Sequence, residues 1–473
     1  MGRPLPTTTA RALLAIDGAL PSGAVSVDRD VCAAYARDES EAEATVPDAV
    51  VRAGTTAEVA AVLRAAHEHR VPVTPRAGGT SRVGAATCVA GGIVLSCEGM
   101  GSVREIDRDD GIAVVEPGVV LGDLHRAVEA EGLFYPPDPN SLDSCQLGGN
   151  LALNAGGPRA FKYGVTGDYV LGLEAVAADG TVLDVGRRTS KGVTGYDLTA
   201  LLVGSEGTLA VITRATLKLI PRPEALRTLL VFLDREDRIA QAVGTALRHR
   251  VIPRCVELLD RHTLAVLRED GGPVPLPAEA RAMLLLELDG EPEAADRDLE
   301  RLGTALDEVA LEVLVAKHGA DRERLWSVRR GMSRALRRRA RHKLSEDVVV
   351  PRSRLGALLA TCQQLSAAHE IRMPSYGHAG DGNLHVNFLW DEPEERPRVD
   401  AAIRGLFEAV IDLGGTLSGE HGIGVLKAPF LPLEQSPAVI DLSRRIKAQF
   451  DPRGILNPGK VFAAEGATRH GVC

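Results

Sequence analysis

Apolar residues recur with two different periods along the chain, and they predict helices and strands in alternation. Apolar positions follow helical spacing from Thr56 to His69, which predicts a helix there. Strand-like apolar runs extend from Val170 to Ala177 and from Leu209 to Leu219, with glycine-rich loops between them. Strands and helices mixed in this way predict an α+β fold.

A strand of a different kind is predicted near the C-terminus, from Leu384 to Trp390. Apolar and polar residues alternate there, as in a half-buried strand. Because successive side chains point to opposite faces of a sheet, His385 and Asn387 should share one face. Asn387 therefore becomes a candidate contact for any ligand that His385 holds.

A densely basic stretch lies between Arg322 and Lys343. Leu325, Val328 and Met332 recur within it at helical spacing, which predicts one amphipathic helix with a basic face. A solvated surface is one interpretation of this face, and a docking site for an acidic partner or a membrane surface is the alternative. Some of its arginines can instead face inward and hold a substrate carboxylate.

Length and composition predict a soluble chain of two domains. The 473 residues exceed the roughly 250–300 at which single cores stop growing, and no run approaches the roughly 18 apolar residues that span a bilayer. Met1–Pro6 carries no twin-arginine, apolar or myristoylation signal, and Cys473 makes no prenylation box. We expect a cytoplasmic protein, with a peripheral position at the inner face of a membrane as the alternative.

Charge and cysteine usage exclude several function classes. The net charge of -9 and the aromatic content of 3% argue against nucleic-acid binding. The seven cysteines are scattered, odd in number and free of Cys-x-x-Cys pairs, which argues for a reducing compartment. The same pattern argues against an iron–sulfur cluster or a thiolate zinc site.

Glycine-rich loops punctuate the first half of the chain. Between Arg76 and Gly84, a short strand runs into a loop whose N–H groups can cradle phosphate oxygens, with hydroxyls from Thr80 and Ser81. This loop matches neither a Rossmann nor a Walker fingerprint, and an ordinary turn is the alternative. Three further glycine-rich segments, at 146–157, 162–168 and 203–209, suggest backbone that runs close against a large flat ligand.

Two short segments near the C-terminus carry the strongest chemical signal. His378 and His385 are seven residues apart among glycines, and Glu420 precedes His421 in a second glycine-flanked segment. Two imidazoles and a carboxylate suit zinc, iron or manganese and leave coordination positions open for substrate. His421 is then the candidate general base. The alternatives are hydrogen-bonded loop histidines and a structural role for His421.

The order of these motifs is specific. The loop after Arg76, Gly148-Gly149-Asn150, Gly204-Ser205-Glu206-Gly207-Thr208, the two histidines, Glu420-His421 and the segment 451–460 follow one another in the sequence. This chain resembles the FAD-linked D-2-hydroxyacid dehydrogenases from about residue 46 to 462. That group includes flavin D-lactate dehydrogenases, the FAD subunit of glycolate oxidase and D-2-hydroxyglutarate dehydrogenase.

The resemblance implies an architecture. It predicts a two-part FAD-binding domain of the vanillyl-alcohol-oxidase (p-cresol methylhydroxylase, PCMH) type, followed by an α+β C-terminal substrate and metal domain. The expected boundaries are an N-terminal segment at 1–45 that packs on the FAD domain, the FAD domain at 46–223, the second domain at 224–462 and a loose tail at 463–473.

The resemblance also implies the roles of individual residues. His378, His385 and Glu420 match metal ligands, His421 matches the catalytic base, and Arg329, Lys343 and Asn387 match substrate contacts. The Lys343 match requires a small gap. The residues expected to bind FAD are Arg76, Ala77, Gly78, Gly79, Thr80, Ser81, Gly84, Pro137, Asp138, Gly148, Gly149, Asn154, Gly164, Asp168, Glu206, Ile212 and Asn457.

The implied reaction is oxidation of a D-2-hydroxyacid to the 2-oxoacid. It transfers a hydride to flavin N5, while a divalent metal polarises the hydroxyl and a histidine takes its proton. Two departures from the family pattern fall in the loop after Arg76, where Ala77 replaces a glycine and Arg82 stands at a position that is often small or apolar. With no histidine in this loop, non-covalent FAD is expected.

Partners follow from what the sequence lacks. Because it holds no haem, iron–sulfur or nicotinamide motif, electrons must leave to a partner protein, a quinone or oxygen. A homodimer or a hetero-complex is compatible with the sequence. Two other functions stay open: a flavoenzyme that acts on a different substrate class, and a non-catalytic flavin-carrying subunit of an oxidase complex.

Overall fold

The computed structural model describes residues 5–271 and 274–463. Within these ranges the chain forms four β-sheets. The expectations about the first four residues, about Cys473 and about nearly all of the tail lie outside these ranges. In chain order, the strands are β1 Val25–Ser26, β2 Ala49–Arg52, β3 Val73–Arg76, β4 Ile93–Ser96, β5 Val103–Asp107, β6 Ile112–Val115, β7 Leu133–Phe134, β8 Val170–Ala177, β9 Val182–Gly186, β10 Ala210–Lys218, β11 Ile220–Pro221, β12 Ala225–Leu233, β13 Cys255–Leu259, β14 Ala282–Gly290, β15 Glu312–Val315, β16 His342–Val349, β17 Ser375–His378 and β18 Asn383–Trp390.

Helices connect these strands and cover the sheets. In chain order, they are α1 Thr7–Ala15, α2 Arg29–Tyr35, α3 Thr56–His69, α4 Leu121–Ala130, α5 Leu147–Leu153, α6 Ala160–Tyr163, α7 Leu198–Leu202, α8 Ile239–Arg248, α9 Arg261–Asp270, α10 Pro292–Leu306, α11 Gly319–Arg330, α12 Met332–Arg337, α13 Leu355–His369, α14 Arg396–Asp412, α15 Leu431–Glu434 and α16 Pro437–Phe450. Across the described ranges, none of them combines the length and apolar character needed to cross a bilayer.

The predicted helix α3 has the expected bounds, and its ends explain why. The Thr55 hydroxyl accepts a hydrogen bond from Glu58 N at the start, and Arg70 ends the helix in a left-handed conformation with φ of 56°. The buried face of α3 packs on the first sheet, whose strand order is β1-β2-β4-β3. The strand β3 leads directly into the glycine loop after Arg76.

The second sheet has the order β5-β6-β10-β8-β9, and its neighbouring strands are antiparallel. Its long strands β8 and β10 confirm the two apolar runs that the sequence predicts as strands. The helix α5 packs on this sheet through buried Leu147 and Leu151, which places the Gly148-Gly149 pair beside it.

The third large sheet has the order β15-β12-β14-β13-β17-β18-β16 and is antiparallel. The strand predicted at 384–390 is β18, but the expectation that it is half-buried is wrong, because all eight residues of β18 are buried. Leu384, Val386 and Phe388 pack under helices α13 and α14 on one face. The opposite face, with His385 and Asn387, is enclosed as well.

The prediction of a single basic helix from Arg322 to Lys343 is also wrong. Two short helices, α11 and α12, meet at Gly331, and Lys343 lies on strand β16. Glycine has low helix propensity, and the helical spacing of apolar residues conceals where the chain turns into a strand. Arg338 and Arg339 bind Asp270 of α9, so part of the predicted basic surface is neutralised within the chain.

The segment 455–457 lies against the first sheet. Leu456 pairs with Val73 in a parallel bridge, and Asn457 N donates to Val73 O at 2.7 Å. Ile455 and Leu456 belong to the same buried cluster as α3. The segment 451–460 therefore supports the strand that carries the glycine loop, although the sequence separates them by more than three hundred residues.

Candidate functional site

A deep cleft of about 1380 Å³ separates the glycine loops of the first half from the third sheet. This volume exceeds the roughly 300–1,000 Å³ of ordinary small-molecule pockets, so the cleft can hold a large cofactor together with a substrate. Many of the predicted site residues line it: Arg76, Ala77, Gly78, Gly79, Thr80, Ser81, Gly148, Gly149, Glu206, Ile212, Arg329, Lys343, His385, Glu420 and His421.

The loop after β3 presents unused hydrogen-bond donors to this cleft. Within the described ranges, no acceptor binds the backbone N–H groups of Gly78, Gly79, Thr80 or Ser81. Gly79 has φ of 68°, which an L side chain rarely adopts. The Ser81 hydroxyl instead braces the loop by accepting from Val83 N and Ala85 N. Successive free N–H groups form a nest that suits phosphate oxygens, so this loop fits the pyrophosphate of FAD.

The Gly148-Gly149 pair lets backbone approach the cleft closely. A Cβ at Gly148 would lie 2.7 Å from the Cβ of Pro117, which leaves no room for a side chain. A Cβ at Gly149 would meet only the Cβ of Ala77, at 3.8 Å, so a larger side chain there would extend into the cleft. A flat ring system can therefore lie directly against this backbone.

Several residues expected at the cofactor have other contacts. The Asp138 carboxylate binds Arg159, Asn154 Oδ1 accepts from Gly167 N, and Asp168 Oδ2 accepts from Val165 N. These contacts fix the loops that support the cleft wall. Among the described residues, those predicted for FAD that do not line the cleft are Gly84, Pro137, Asp138, Asn154, Gly164, Asp168 and Asn457.

Glu206 joins the two halves of the molecule. It lines the cleft, is buried, and has φ of 54°. Its two carboxylate oxygens accept hydrogen bonds from Ile423 N and Gly424 N, each at 2.7 Å, just after His421. Asn457 Nδ2 donates to Glu206 O at 2.7 Å. Burial raises the pKa of the Glu206 carboxyl, and these N–H donors oppose that rise.

His378, His385 and Glu420 converge at the third sheet. His378 ends β17 and His385 lies on the adjacent strand β18, while Glu420 enters from the loop beyond α14. Glu420 Oε1 lies 3.7 Å from His378 Nε2 and 3.5 Å from His385 Nε2. Both Nε2 atoms are buried without a hydrogen-bond partner, and one ligand atom from each of the three residues lies within 4.8 Å of the others. This set fits a divalent cation.

Two carboxylates that the sequence analysis missed orient these groups. Glu257 Oε1 lies 2.5 Å from His378 Nδ1. Asp347 Oδ2 accepts hydrogen bonds from the backbone N–H groups of Gly419, Glu420 and His421, at 2.9, 2.8 and 2.9 Å. Glu257 is the one charged residue of the otherwise apolar strand β13. A charged residue in such a strand must have a buried partner, and that was the signal available in the sequence. Asp347 lies in the more polar strand β16, which carries no such signal.

The imidazoles differ in protonation. Burial lowers the pKa of His385 to about 3 and also lowers the pKa of His421, so both are neutral near pH 7. Burial alone would lower the pKa of His378, but the Glu257 and Glu420 carboxylates raise it above the usual histidine range. A cation on His378 Nε2 would take the position of that proton.

His421 lies where a base can reach the cleft. Its ring stacks on His385 with centroids 5.5 Å apart and an interplanar angle of 16°. Its Nδ1 lies 4.0 Å from Asp347 Oδ2, and a fifth of its side chain is exposed. A neutral imidazole that lines the cleft can accept a proton.

The predicted substrate-binding residues differ in how far their polar atoms are already engaged within the protein. Arg329 binds Glu257 through Nε at 2.5 Å and lies over the Tyr376 ring, while its Nη2 is buried without a partner. Lys343 lines the cleft, and burial together with Arg82 and Arg337 lowers its pKa to about 8.

Asn387 is not among the described residues that line the cleft. It is fully buried, and its amide nitrogen donates to Pro374 O and His385 O. Its Oδ1 has no hydrogen-bond partner.

Two protein-family models match the chain. Residues 47–186 match an FAD binding domain, and residues 222–461 match the C-terminal domain of FAD linked oxidases. The matches agree with the cleft, because the phosphate-type loop lies in the first region and the histidine cluster in the second.

Similarity to two relatives extends over nearly the whole chain. The glycolate oxidase subunit GlcD of Bacillus subtilis is 42% identical over 438 residues, which is 92% of this chain and 93% of that protein. A D-lactate dehydrogenase of Anaerostipes hadrus is 35% identical over 426 residues, which is 88% of this chain and 89% of that protein.

Among solved structures, p-cresol methylhydroxylase with substrate bound superposes with a TM-score of 0.81 at 18% identity. The match covers 98% of this chain and 99% of that one. At this level of identity the likeness concerns the fold alone, and it confirms the predicted PCMH-type α+β architecture.

Proposed function

Because the chain belongs to the family of FAD linked oxidases, we propose that it oxidises a D-2-hydroxyacid to the corresponding 2-oxoacid. In this proposal FAD is bound without a covalent link, and His378, His385 and Glu420 hold a divalent metal. Two of the relatives, a glycolate oxidase subunit and a D-lactate dehydrogenase, support a small 2-hydroxyacid as substrate.

One observation carries the proposal: three buried polar atoms beside one cleft have no partner in the described protein. They are His378 Nε2, His385 Nε2 and Arg329 Nη2. A buried donor or acceptor that stays unsatisfied costs roughly 1–3 kcal/mol, so three of them together indicate ligands that complete the site. Two imidazole nitrogens suit a cation, and a guanidinium nitrogen suits a carboxylate.

Charge balance supports a divalent metal. Glu257 and Glu420 flank the His378 imidazole, while Arg329 contributes one positive charge. A substrate carboxylate at Arg329 would add a further negative charge in a poorly solvated place. A divalent cation held by the three ligands would offset this negative charge, and the mixed nitrogen and oxygen set suits zinc, iron or manganese.

The side chains of this protein then have separate tasks. FAD, when bound, supplies the acceptor for the hydride that leaves the substrate carbon. A divalent cation would lower the pKa of the substrate hydroxyl. Arg329 binds the carboxylate and thereby fixes which face of the carbon is presented, with Lys343 as a second cation in the cleft. His421 accepts the hydroxyl proton, and Asp347 holds the backbone on which His421 lies.

We also propose that electrons leave the protein to an external acceptor, which is a partner protein, a quinone or oxygen. One relative is named as a subunit, which supports a hetero-complex. Arg338 and Arg339 are weak candidates for docking an acidic partner, because Glu269 and Asp270 already bind them.

The decisive experiment is anaerobic reduction of the purified yellow protein by D- and L-2-hydroxyacids, with and without a chelator. Loss of the oxidised-flavin absorbance band with one D acid, prevented by the chelator, is the expected result. Bound flavin that no 2-hydroxyacid reduces, even after metal is added, would favour a flavin-carrying subunit or a different substrate class.

A further inference from the structure

Glu257 occupies a central position that no motif in the sequence assigns. It lies on β13, is fully buried, and stands opposite His378 in the register between β13 and β17. Its two oxygens bind two different site residues. Oε1 lies 2.5 Å from His378 Nδ1, and Oε2 lies 2.5 Å from Arg329 Nε.

Each contact determines which atom of its partner stays available. Because Glu257 engages Nδ1 of His378, the opposite ring nitrogen faces Glu420, with Nε2 at 3.7 Å from Oε1. Because Glu257 engages Nε of Arg329, the guanidinium lies over the Tyr376 ring, 4.7 Å from its centroid, and Nη2 is left without a partner. One carboxylate thus fixes the free ends of both groups.

We propose that Glu257 is a positioning residue that holds the metal-binding imidazole and the carboxylate-binding guanidinium at a fixed separation. The substrate's hydroxyl and carboxylate would then be bound together, each by the group that Glu257 orients. This inference rests on the proposed function, because it assigns the cation to His378 and the substrate carboxylate to Arg329. Carboxylates that bind the second nitrogen of a ligand histidine commonly set metal affinity in this way.

The chemistry of the carboxylate makes the role specific. Both neighbours of Glu257 donate N–H groups, and a carboxylate can accept from both. A glutamine has one acceptor oxygen and one NH₂ group. In an E257Q protein, the NH₂ group would therefore face either the His378 N–H or the Arg329 N–H, and one of the two groups would lose its orientation.

Glu287 offers a matched control. It is buried on the adjacent strand β14, and its carboxylate binds Arg322 and Trp326 of α11, the helix that also carries Arg329. Glu287 and Arg322 do not line the cleft in the described protein. An E287Q variant therefore reports the cost of neutralising a buried, arginine-bound carboxylate in this sheet, without touching His378 or Arg329.

The test measures two affinities that do not require turnover. In chelator-treated flavoprotein, zinc affinity is measured by competition with a chromophoric chelator. The affinity for propionate, a carboxylate without a hydroxyl group, is measured by calorimetry. We expect E257Q to weaken zinc binding by roughly 10–100-fold and propionate binding by about tenfold. We expect E287Q to stay within about twofold of wild type for both, although thermal unfolding shows similar destabilisation of the two variants.

Two results would overturn the inference: zinc and propionate affinities in E257Q within twofold of wild type, or equal losses in E287Q. If E257Q does not fold, E257D carries the same test. It keeps the charge but is one methylene too short to reach both donors, so retention of both affinities would overturn the inference.

Failure of the proposed function has a different signature. Wild-type protein that binds zinc and propionate while its flavin is reduced by no 2-hydroxyacid would overturn the proposed reaction and leave the Glu257 comparison valid. Wild-type protein that binds no zinc would overturn both the metal assignment and this inference.

Discussion

Asp347 Oδ2 accepts a hydrogen bond from the backbone N–H of His421 at 2.9 Å. The same oxygen also accepts from the two preceding N–H groups, so one buried carboxylate holds the loop that presents both Glu420 and His421. Burial alone would raise the pKa of Asp347, but the neighbouring histidines and Lys427 hold it well below the usual range. The charge is therefore retained, and the geometry of the loop depends on it.

Replacing Asp347 with asparagine should disorder this loop. If the amide oxygen keeps the three N–H groups, the NH₂ group faces Asn383 Nδ2, a donor that binds Asp347 Oδ1 in the wild type. We expect kcat/KM to fall by roughly 100-fold, since small displacements of a base are costly. The free energy of unfolding should fall by about 1–3 kcal/mol. Steady-state kinetics and chemical denaturation measure the two effects.

D260N is a suitable comparison for that variant. Asp260 is also buried and accepts hydrogen bonds from Thr263 N and Ser375 N, but neither donor belongs to the loop that carries Glu420 and His421. It should lose stability and keep most of its kcat/KM. Equal kinetic losses in D347N and D260N would contradict a specific role for Asp347.

Removal of the metal should separate catalysis from cofactor binding. His378, His385 and Glu420 come from the third sheet and its loop, whereas the free N–H groups that fit the pyrophosphate lie after β3. A chelator should therefore slow flavin reduction by at least about 100-fold while FAD stays bound, because Lewis-acid polarisation contributes several kcal/mol. Stopped-flow absorbance measures the rate, and the flavin-to-protein ratio measures retention.

Zinc or manganese should restore the rate in the wild type but not in an H385N variant. If chelator-treated protein reacts at the same rate as untreated protein, the metal has no part in the mechanism.

Local sequence signals predicted the elements that local interactions determine. The bounds of α3 follow from the Thr55 cap and from Arg70, and both residues directly flank the sequence window that predicts the helix. The prediction of one basic helix from Arg322 to Lys343 was wrong because Gly331 interrupts the helix and the chain then enters β16. Helical spacing alone does not reveal that change.

The site residues show the same difference between local and long-range signals. His385, Glu420 and His421 were identified because they stand in short glycine-flanked segments. Glu257 and Asp347 were missed, because their roles depend on strand register. Glu257 pairs with His378 across more than one hundred intervening residues, and no local pattern encodes that pairing.

We predict that Lys343 makes substrate binding dependent on pH. Burial and the nearby guanidinium groups lower its pKa to about 8, so it is charged below that pH and neutral above it. If Lys343 helps bind the substrate carboxylate, KM should rise as pH increases through about 8. Steady-state kinetics between about pH 7 and pH 9 measure the effect.

A K343R variant supplies the control for this titration, since arginine stays charged throughout and should give a flat KM. A K343M variant should show a high KM without the pH dependence. An unchanged KM across this range in the wild type would remove Lys343 from substrate binding.

A substitution at Gly149 should weaken cofactor binding without impairing folding. Because a Cβ there would meet only Ala77, at 3.8 Å, the G149L protein should fold with its side chain extending into the cleft. We expect FAD affinity to fall at least about tenfold, as measured by reconstitution of the apoprotein, while the apoprotein's thermal unfolding stays close to wild type. Gly303 of α10 has no heavy atom within 4 Å of a Cβ, so G303L should change neither property. Full FAD occupancy in G149L would show that the cofactor lies elsewhere in the cleft.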